Sequence, residues 1–493
     1  MLRPKFSRHG VAVMLILLTG CGNGLITNVG PDYQTPALPT APHWQTAQPA
    51  IAHDGDLALL QHWWQRFDDP VLSQFLTAAQ QVNANVAEAS SRIQQARAGA
   101  IGAEAAGIPA IDGNLAATRS SFSFGGPPFL RNQYQIGLQA NWEVDLFGSV
   151  ARQREAAQSQ LESRVAAWHD ARVAVAAEVA NAYLDYRQCE VLVKLVEADA
   201  LSRQHTARLT AIVGRAGLRA QADVDLAQAS AADGQHTLLG QQGQCERDIK
   251  GLVALTGLQE PEVRQQLTFP AERVARLPKP PVFTLAALPA KVLMQRPDVA
   301  AAERDVAEAS ATIGAELAKR YPRLSLSGNI TPLFQNINGS ALVLAQTWSI
   351  GPSLSLPIFD AGKRAADVEA AEAKYTAGVA RFQATVRTAA KEVEEALVRL
   401  HTAEERMPLA RSAVTGYSAS FNATEQRYRV GFGSLLDTEV SRRQKLAAER
   451  VLAELEQEQA AAWIALYRAA GGGWEDSNPA QPQSANSFKD DAS

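Results

Sequence analysis

Three cysteines are the residues of this chain best suited to covalent chemistry, and their spacing divides them between two tasks. Cys21 follows Leu18, Thr19 and Gly20, the pattern of a bacterial lipobox, whose thiol accepts diacylglycerol. Arg3, Lys5 and Arg8 precede a short apolar stretch from Val11 to Leu18. Residues 1–20 therefore read as an export signal, too short to anchor the chain by itself. The alternative is an ordinary signal peptide with a chance cysteine. Residue 22 is Gly, not the Asp that retains lipoproteins at the inner membrane, which favours outer-membrane sorting.

The other two cysteines flank a glycine symmetrically. Cys189 lies 28 residues before Gly217 and Cys245 lies 28 after it, so an antiparallel helical hairpin turning at Gly217 sets them at one height. Both fall on apolar seams, with Val175, Ala182 and Val196 on one side and Leu238 and Leu252 on the other. In an oxidising compartment this predicts a disulfide. The alternative is a pair of reduced thiols packing as small hydrophobes.

Catalysis has no comparable signal. The sequence contains no CxxC, HExxH, GxSxG or P-loop pattern, and its eight histidines are scattered. His53, with Asp54 and Asp56, lacks the remaining parts of a metal site. Like His43 and His62, it reads as a polar surface residue. The expectation is a protein that is not an enzyme, with no metal and no cofactor.

The composition agrees with long helices. Of 493 residues 46% are apolar, but only 6% are aromatic, so much of the apolar share is alanine. The formal charge of -4 comes with no basic stripe, which argues against nucleic acid as a partner. After residue 20 no run approaches the roughly 20 apolar residues of a spanning helix, so a polytopic helical membrane protein is excluded.

An internal repeat organises the chain. Gly102 and Pro109 recur as Gly314 and Pro322, Phe147 as Phe359, and Arg215, Gly217 and Asp223 as Arg429, Gly431 and Asp437, all offset by 212 to 214 residues. The predicted division is a lipid-anchored segment over 21–61, repeats over 62–257 and 285–470, a Pro-rich connector over 258–284 and a polar tail over 471–493. Each repeat reads helix, strand, strand, long helix, turn, helix, with the first helix over 71–106. From Ser149 to Val213 there is neither Gly nor Pro, and 65 such residues give a rod of about 100 Å. The matching helix from Lys363 is expected to bend near Pro408.

Between the helices the apolar period switches to two, predicting strands near 111–122, 132–147, 323–332 and 347–358. In the second, every even position from Tyr134 to Leu146 is apolar. A half-buried soluble sheet gives the same alternation, but strands of about ten residues with one wholly apolar face also fit a membrane barrel wall. Four strands cannot close such a wall, because the smallest membrane barrels use eight. Hydrocarbon leaves no open edge satisfied, so several chains must pool their strands. Three copies would supply twelve.

The segments Gln295 to Asp298, Ala301 to Glu303, Ile313 to Ala315 and Tyr321 to Gly328 resemble the outer-membrane efflux protein family. So do Trp63 to Pro70 and Trp142 to Gly148. With the lipobox, the resemblance is to the lipidated OprM/NodT-like branch of the TolC-type ducts. It implies an α+β homotrimer with a twelve-stranded transmembrane β-barrel, four strands per protomer. A periplasmic α-helical barrel and a mixed equatorial collar would complete it. The implied function is the outer-membrane exit duct of a tripartite efflux system for small toxic compounds. Its partners would be a periplasmic adaptor (membrane fusion protein), an inner-membrane pump of the RND class ahead of the MFS class, and outer-membrane lipid. A duct for a secreted polypeptide and a non-conducting envelope tether are the alternatives.

The family implies that the hairpin tips face the adaptor, which singles out Gly217, Leu218, Gly431, Phe432 and Gly433. Arg215, Asp223, Asp225, Arg429 and Asp437 flank those tips. They read either as helix caps, with Ser434 and Asp437 at capping-box spacing, or as a closed iris of salt bridges repeated about the axis.

Overall fold

The computed structural model describes residues 27–472 apart from 39–40, 42, 47–62, 68, 124, 269–276, 284 and 286–288. Cys21, His53, His62 and the tail from Ser477 lie outside the described residues. The elements are α1 (Pro70–Val82), α2 (Ala84–Ala105), β1 (Ala110–Phe122), β2 (Phe129–Val144), α3 (Ser149–Arg215), α4 (Gln221–Thr256), α5 (Glu260–Gln266), α6 (Pro289–Met294), α7 (Pro297–Ala318), β3 (Arg323–Ile337), β4 (Val343–Ser355), α8 (Lys363–Arg429) and α9 (Leu435–Ala469). Contacts divide the chain into one unit of residues 1–37, 92–165 and 301–382 and another of 38–91, 166–300 and 383–493.

The first unit carries a four-stranded antiparallel sheet in the order β1-β2-β3-β4. Its register separates two faces. On one, Ile111, Ala140, Gly328 and Ile350 form a row, followed by Gly113, Leu138, Ile330 and Trp348. On the other, Asp112, Gln139, Asn329 and Ser349 stand side by side. The apolar face is bare: Leu115 is 81% exposed and Trp348 and Ile350 are each 70% exposed. Large apolar side chains in one contiguous exposed patch require a non-aqueous neighbour.

The strands differ from their alternating cores at both ends. β2 begins at Phe129 and β3 runs to Ile337, where Asn338 (φ 50°) and Gly339 (φ 76°) turn the chain. Asn338 Oδ1 accepts a hydrogen bond of 2.7 Å from the Leu130 N–H, which extends the sheet past the apolar alternation. At the other end β2 and β4 stop at Val144 and Ser355, short of 147 and 358. The Leu146 and Phe147 carbonyls instead accept from the Thr27 and Val29 N–H groups, and Pro357 has no N–H to offer a ladder. Pro332, inside β3, interrupts the pairing with β2, which passes from Leu138↔Ile330 to Gln135↔Leu333.

The segment arriving at Thr27 is stapled to the same unit. Arg152 donates to the Val29 carbonyl at 3.3 Å and to Asp32 at 2.7 Å. Tyr33 donates its phenol to the Glu303 carboxylate and Thr35 donates to the same oxygen. Gly30 lies so near Gly314 that a Cβ there would meet its Cα at 2.4 Å.

In the second unit, the segments that carried the family resemblance hold elements together. Trp63 is fully buried, stacks on Tyr467 at 4.5 Å and donates its indole N–H to the Pro281 carbonyl. Asp69 caps α1 by accepting from Val71 and Leu72 and also accepts from the Tyr183 phenol at 2.8 Å. Arg296 reaches Asp298, Glu392 and the Ala469 carbonyl at once. The single helix expected over 71–106 is divided at Asn83, whose side chain accepts from the Asn85 N–H. Pro261 opens a short helix, α5, and α8 continues through Pro408.

The two-faced sheet makes a prediction. Leu138→Arg places a cation on the apolar face, at a cost of roughly 2–4 kcal/mol near the bilayer midplane. The folded, heat-modifiable form in outer-membrane fractions should fall sharply on semi-native gels. Gln139→Arg, one residue on and facing the other way, should leave it near the wild-type amount.

Candidate functional site: the helical-hairpin ends

Each long helix ends in the same hydrogen-bonded turn. After α3, Gly217 takes φ 73°, its N–H bonds the Gly214 carbonyl and the Leu218 N–H bonds the Val213 carbonyl. After α8, Gly431 takes φ 84°, with Gly431 bonding Tyr428 and Phe432 bonding Arg427. This is the Schellman arrangement, which requires a left-handed residue where Gly carries no Cβ penalty. Gly433 is needed for a different reason, since a Cβ there would meet the Tyr428 backbone nitrogen at 2.8 Å. The turns present Leu218 at 76% and Phe432 at 82% exposure.

The charges beside the turns pair locally. Arg219 lies 3.7 Å from Asp223, Arg429 lies 3.0 Å from Glu425, and Asp225 accepts from Gln221 within its own helix. Arg215 donates to the Ala211 carbonyl behind it. Ser434 caps α9 by accepting from the Leu436 N–H at 3.1 Å. Within one chain the structure does not bring Arg215, Asp223, Asp225, Arg429 and Asp437 together.

The two hairpins are joined instead over roughly the last four to five turns of α3. The Thr210 hydroxyl of α3 and the Tyr428 phenol of α8 are 2.8 Å apart, and the Arg219 guanidinium lies over the Tyr428 ring at 5.1 Å. Leu435 packs against Ala207 and Ala227. Beyond that apolar layer comes a cluster of charges drawn from α3, α4 and α9. Arg203 bonds Asp199 at 2.7 Å and Asp233 at 3.1 Å. Arg442 pairs with Glu439 and donates to Ser202 and Thr206 at 3.3 and 3.2 Å. Ser230 donates to Glu439 at 2.6 Å. Asp199, Arg203, Glu439 and Arg442 are between 3% and 8% exposed. Burial pushes the Asp199 carboxyl above the usual carboxylate range; Arg203 and Arg442 pull the other way without cancelling it.

These charges are not among the residues singled out from the sequence. A usable signal was present. The seam of Val175, Ala182, Cys189 and Val196 steps by seven, and its next members are Arg203 and Thr210, both buried. A charge on the continuation of an apolar seam is a buried charge. Higher on the same hairpin, Cys189 and Cys245 face each other across α3 and α4, with Cα atoms 5.5 Å apart and their sulfurs at bonding distance.

Arg442→Ala leaves the buried Glu439 without its cation, a loss of about 3–5 kcal/mol, read as a lowered thermal midpoint of detergent-extracted protein. Replacing Asp199, Arg203, Glu439 and Arg442 together by apolar residues of similar volume should cost far less. For the cysteines, non-reducing peptide mapping of protein purified from the envelope should recover one Cys189–Cys245 cross-linked peptide pair. Free thiols that alkylate on unfolding would contradict the bond.

A family profile described as outer membrane efflux protein matches residues 75–258 and again 288–472. The chain is 28% identical over 469 residues to the solvent efflux pump outer membrane protein SrpC of Pseudomonas putida, covering 93% of this chain and 97% of that one. It is 30% identical over 502 aligned residues to nodulation protein T of Rhizobium leguminosarum bv. viciae, covering 97% and 96%. The solved outer-membrane channel OprN superposes with a TM-score of 0.78 at 28% identity, covering 91% of this chain and 99% of that one. Two profile matches spanning both halves, on a four-stranded sheet with paired helical hairpins, establish that the chain belongs to the outer membrane efflux protein family.

Proposed function

We propose that three copies of this chain close a twelve-stranded barrel in the outer membrane, and that the assembly is the passive exit duct of a tripartite efflux system. The observation that carries this reading is the sheet: one apolar face, one amide-rich face, and two edge strands, β1 and β4, that pair with nothing further among the described residues. An open edge in hydrocarbon leaves amide and carbonyl groups unsatisfied, and closure by identical neighbours removes every edge at once. The channel fold shared with OprN and the efflux family supports the same conclusion.

The cargo class is small toxic compounds, by analogy with the solvent efflux protein SrpC. Energy would come from an inner-membrane pump, of the RND class, through a periplasmic adaptor. The adaptor would seat on Leu218 and Phe432, because exposed apolar side chains at a hairpin turn gain burial only from a partner. Symmetry about the duct axis would bring Arg215, Asp223, Asp225, Arg429 and Asp437 of different copies together at the periplasmic constriction. The Cys21 thiol would carry diacylglycerol and hold the N-terminal segment at the outer membrane.

Purified protein in planar bilayers should give discrete single-channel currents, and a deletion strain should lose tolerance to a set of organic toxicants. Leu218→Asp combined with Phe432→Asp should abolish that tolerance while trimer yield and bilayer current persist. A strain whose tolerance and adaptor cross-linking are unaffected by the double substitution would sink the docking assignment. Absence of any current would sink the duct.

A further inference from the structure

The apolar face of the sheet is not flat. A hollow of about 490 Å³ lies across β1, β2 and β3, bordered by Gly113, Leu115, Ile136, Leu138, Ile330 and Pro332. Two features of the sequence make it. Gly113 sits in register with Leu138 on the apolar face and supplies no side chain, and the nearest atom to a Cβ built there would be Leu138 Cδ2 at 3.7 Å. Pro332 breaks the β2–β3 ladder beside it. Apolar hollows of this kind do not attract water, so in a bilayer they fill with hydrocarbon.

A neighbouring copy cannot fill it. Strand addition at β1 or β4 uses the backbone edges of the sheet, whereas the hollow is centred on β2, inside the protomer's own face. The occupant must come from the membrane side.

The chain itself delivers a candidate. Its described part begins at Thr27, whose N–H bonds the Leu146 carbonyl just past the end of β2, the central strand of the hollow. Val29 bonds Phe147, and Arg152 holds both the Val29 carbonyl and Asp32, so the arrival point is fixed. Cys21 is six positions upstream of Thr27, a stretch that can reach at most about 20 Å. Leu138 lies eight residues back along β2, about 27 Å by strand rise, and the tilt of barrel strands reduces that to roughly 20 Å of depth. An acyl chain that spans one leaflet of the core, about 15 Å, covers the remaining reach.

We propose that the hollow between Gly113, Leu138 and Pro332 receives an acyl chain carried by the protein's own Cys21. The inference rests on Cys21 being lipidated. It turns the lipid from a generic tether into a fixed part of the barrel wall, bound to the one strand whose base the N-terminal segment already grips.

The test uses full-length protein in cells fed a palmitate analogue with a terminal diazirine, irradiated in intact membranes and mapped by mass spectrometry. The expected result is an N-terminal lipopeptide cross-linked to the peptides bearing Leu115, Ile136 or Ile330. Gly113→Leu, which fills the hollow without a backbone clash, should remove those cross-links. Ile350→Leu, on the same face away from the hollow, should retain them. The wild-type map stands even if Gly113→Leu assembles poorly. An acylated N-terminal peptide whose cross-links scatter over the whole apolar face, or fall on phospholipid, overturns this proposal and leaves the lipidation of Cys21 intact. Preferential labelling of the hollow by an added photoreactive phosphatidylethanolamine, with the protein's own chains elsewhere, overturns it equally. An N-terminal peptide with no acyl mass removes the lipidation reading and this inference together.

Discussion

An amide in hydrocarbon has no water to fall back on, and a four-stranded sheet has two edges of such amides. Much of this protein follows from that shortage. The apolar row through Leu138 and Ile330 commits the sheet to lipid, and lipid then forbids the sheet from remaining alone. The strands therefore have to be few, long and two-faced, with their polar groups kept to one side. The repeat solves a related problem. Each half contributes one hairpin of strands and one hairpin of helices, so doubling the unit doubles both wall elements without new folding information. Short side chains on the helices suit this arrangement, because alanine-rich seams permit close interaxial approach.

The helical hairpins face the opposite constraint. They need no closure for their own backbone, which is satisfied internally, and apolar packing alone between alanine-rich seams specifies register poorly. The buried set of Asp199, Arg203, Glu439 and Arg442 supplies what the seams lack. Taking four charges out of water costs several kcal/mol per ion, and good geometry does little more than repay it. Its value lies in selectivity: a one-turn slip of α9 against α3 would part Arg442 from Thr206 and Ser202 and leave Glu439 without Ser230. The Thr210–Tyr428 contact fixes the same pair of hairpins nearer the turns, with Leu435 sealing the layer between.

Where local chemistry decides structure, the sequence was readable. Period-two alternation located the apolar face from Tyr134 onward, and Gly217 and Gly431 marked turns that only a left-handed residue permits. The helix reversals follow from those glycines almost without tertiary information. Elsewhere tertiary contacts overrode the pattern. β1 alternates poorly because Gly113 and Ala117 occupy lipid-facing positions, and only pairing with Leu138 and Tyr134 reveals which side they take. Asn83 divides a helix that contains no Pro, through a cap that propensity alone does not single out. The buried charges carry no local mark: an Asp–Arg pair at i,i+4, such as Asp199 and Arg203, looks the same in sequence on a wet face and a dry one. The register of the surrounding seam distinguishes them. Trp63, Asp69 and Arg296, which identify the family, turned out to be connectors between segments distant in sequence, a role that no motif spacing displays.

The polar face of the sheet bears on what kind of passage the barrel provides. Gln133 pairs with Gln335, Gln139 with Asn329, and Asn329 with Ser349, so the wall offers neutral amides and hydroxyls in successive rows. Each amide both donates and accepts, which lets it exchange hydrogen bonds with water or with a passing solute at little net gain. Ion-selective pores instead use rings of like charge or tightly spaced carbonyls. Asp112 is the acidic member of the Gln139 row, and in a symmetric assembly it would recur once per copy, widely spaced among amides. Neutral rows of this kind supply little basis for choosing among small compounds by charge. In the proposed assembly, choice and energy would therefore enter upstream, where the hairpin turns expose Leu218 and Phe432.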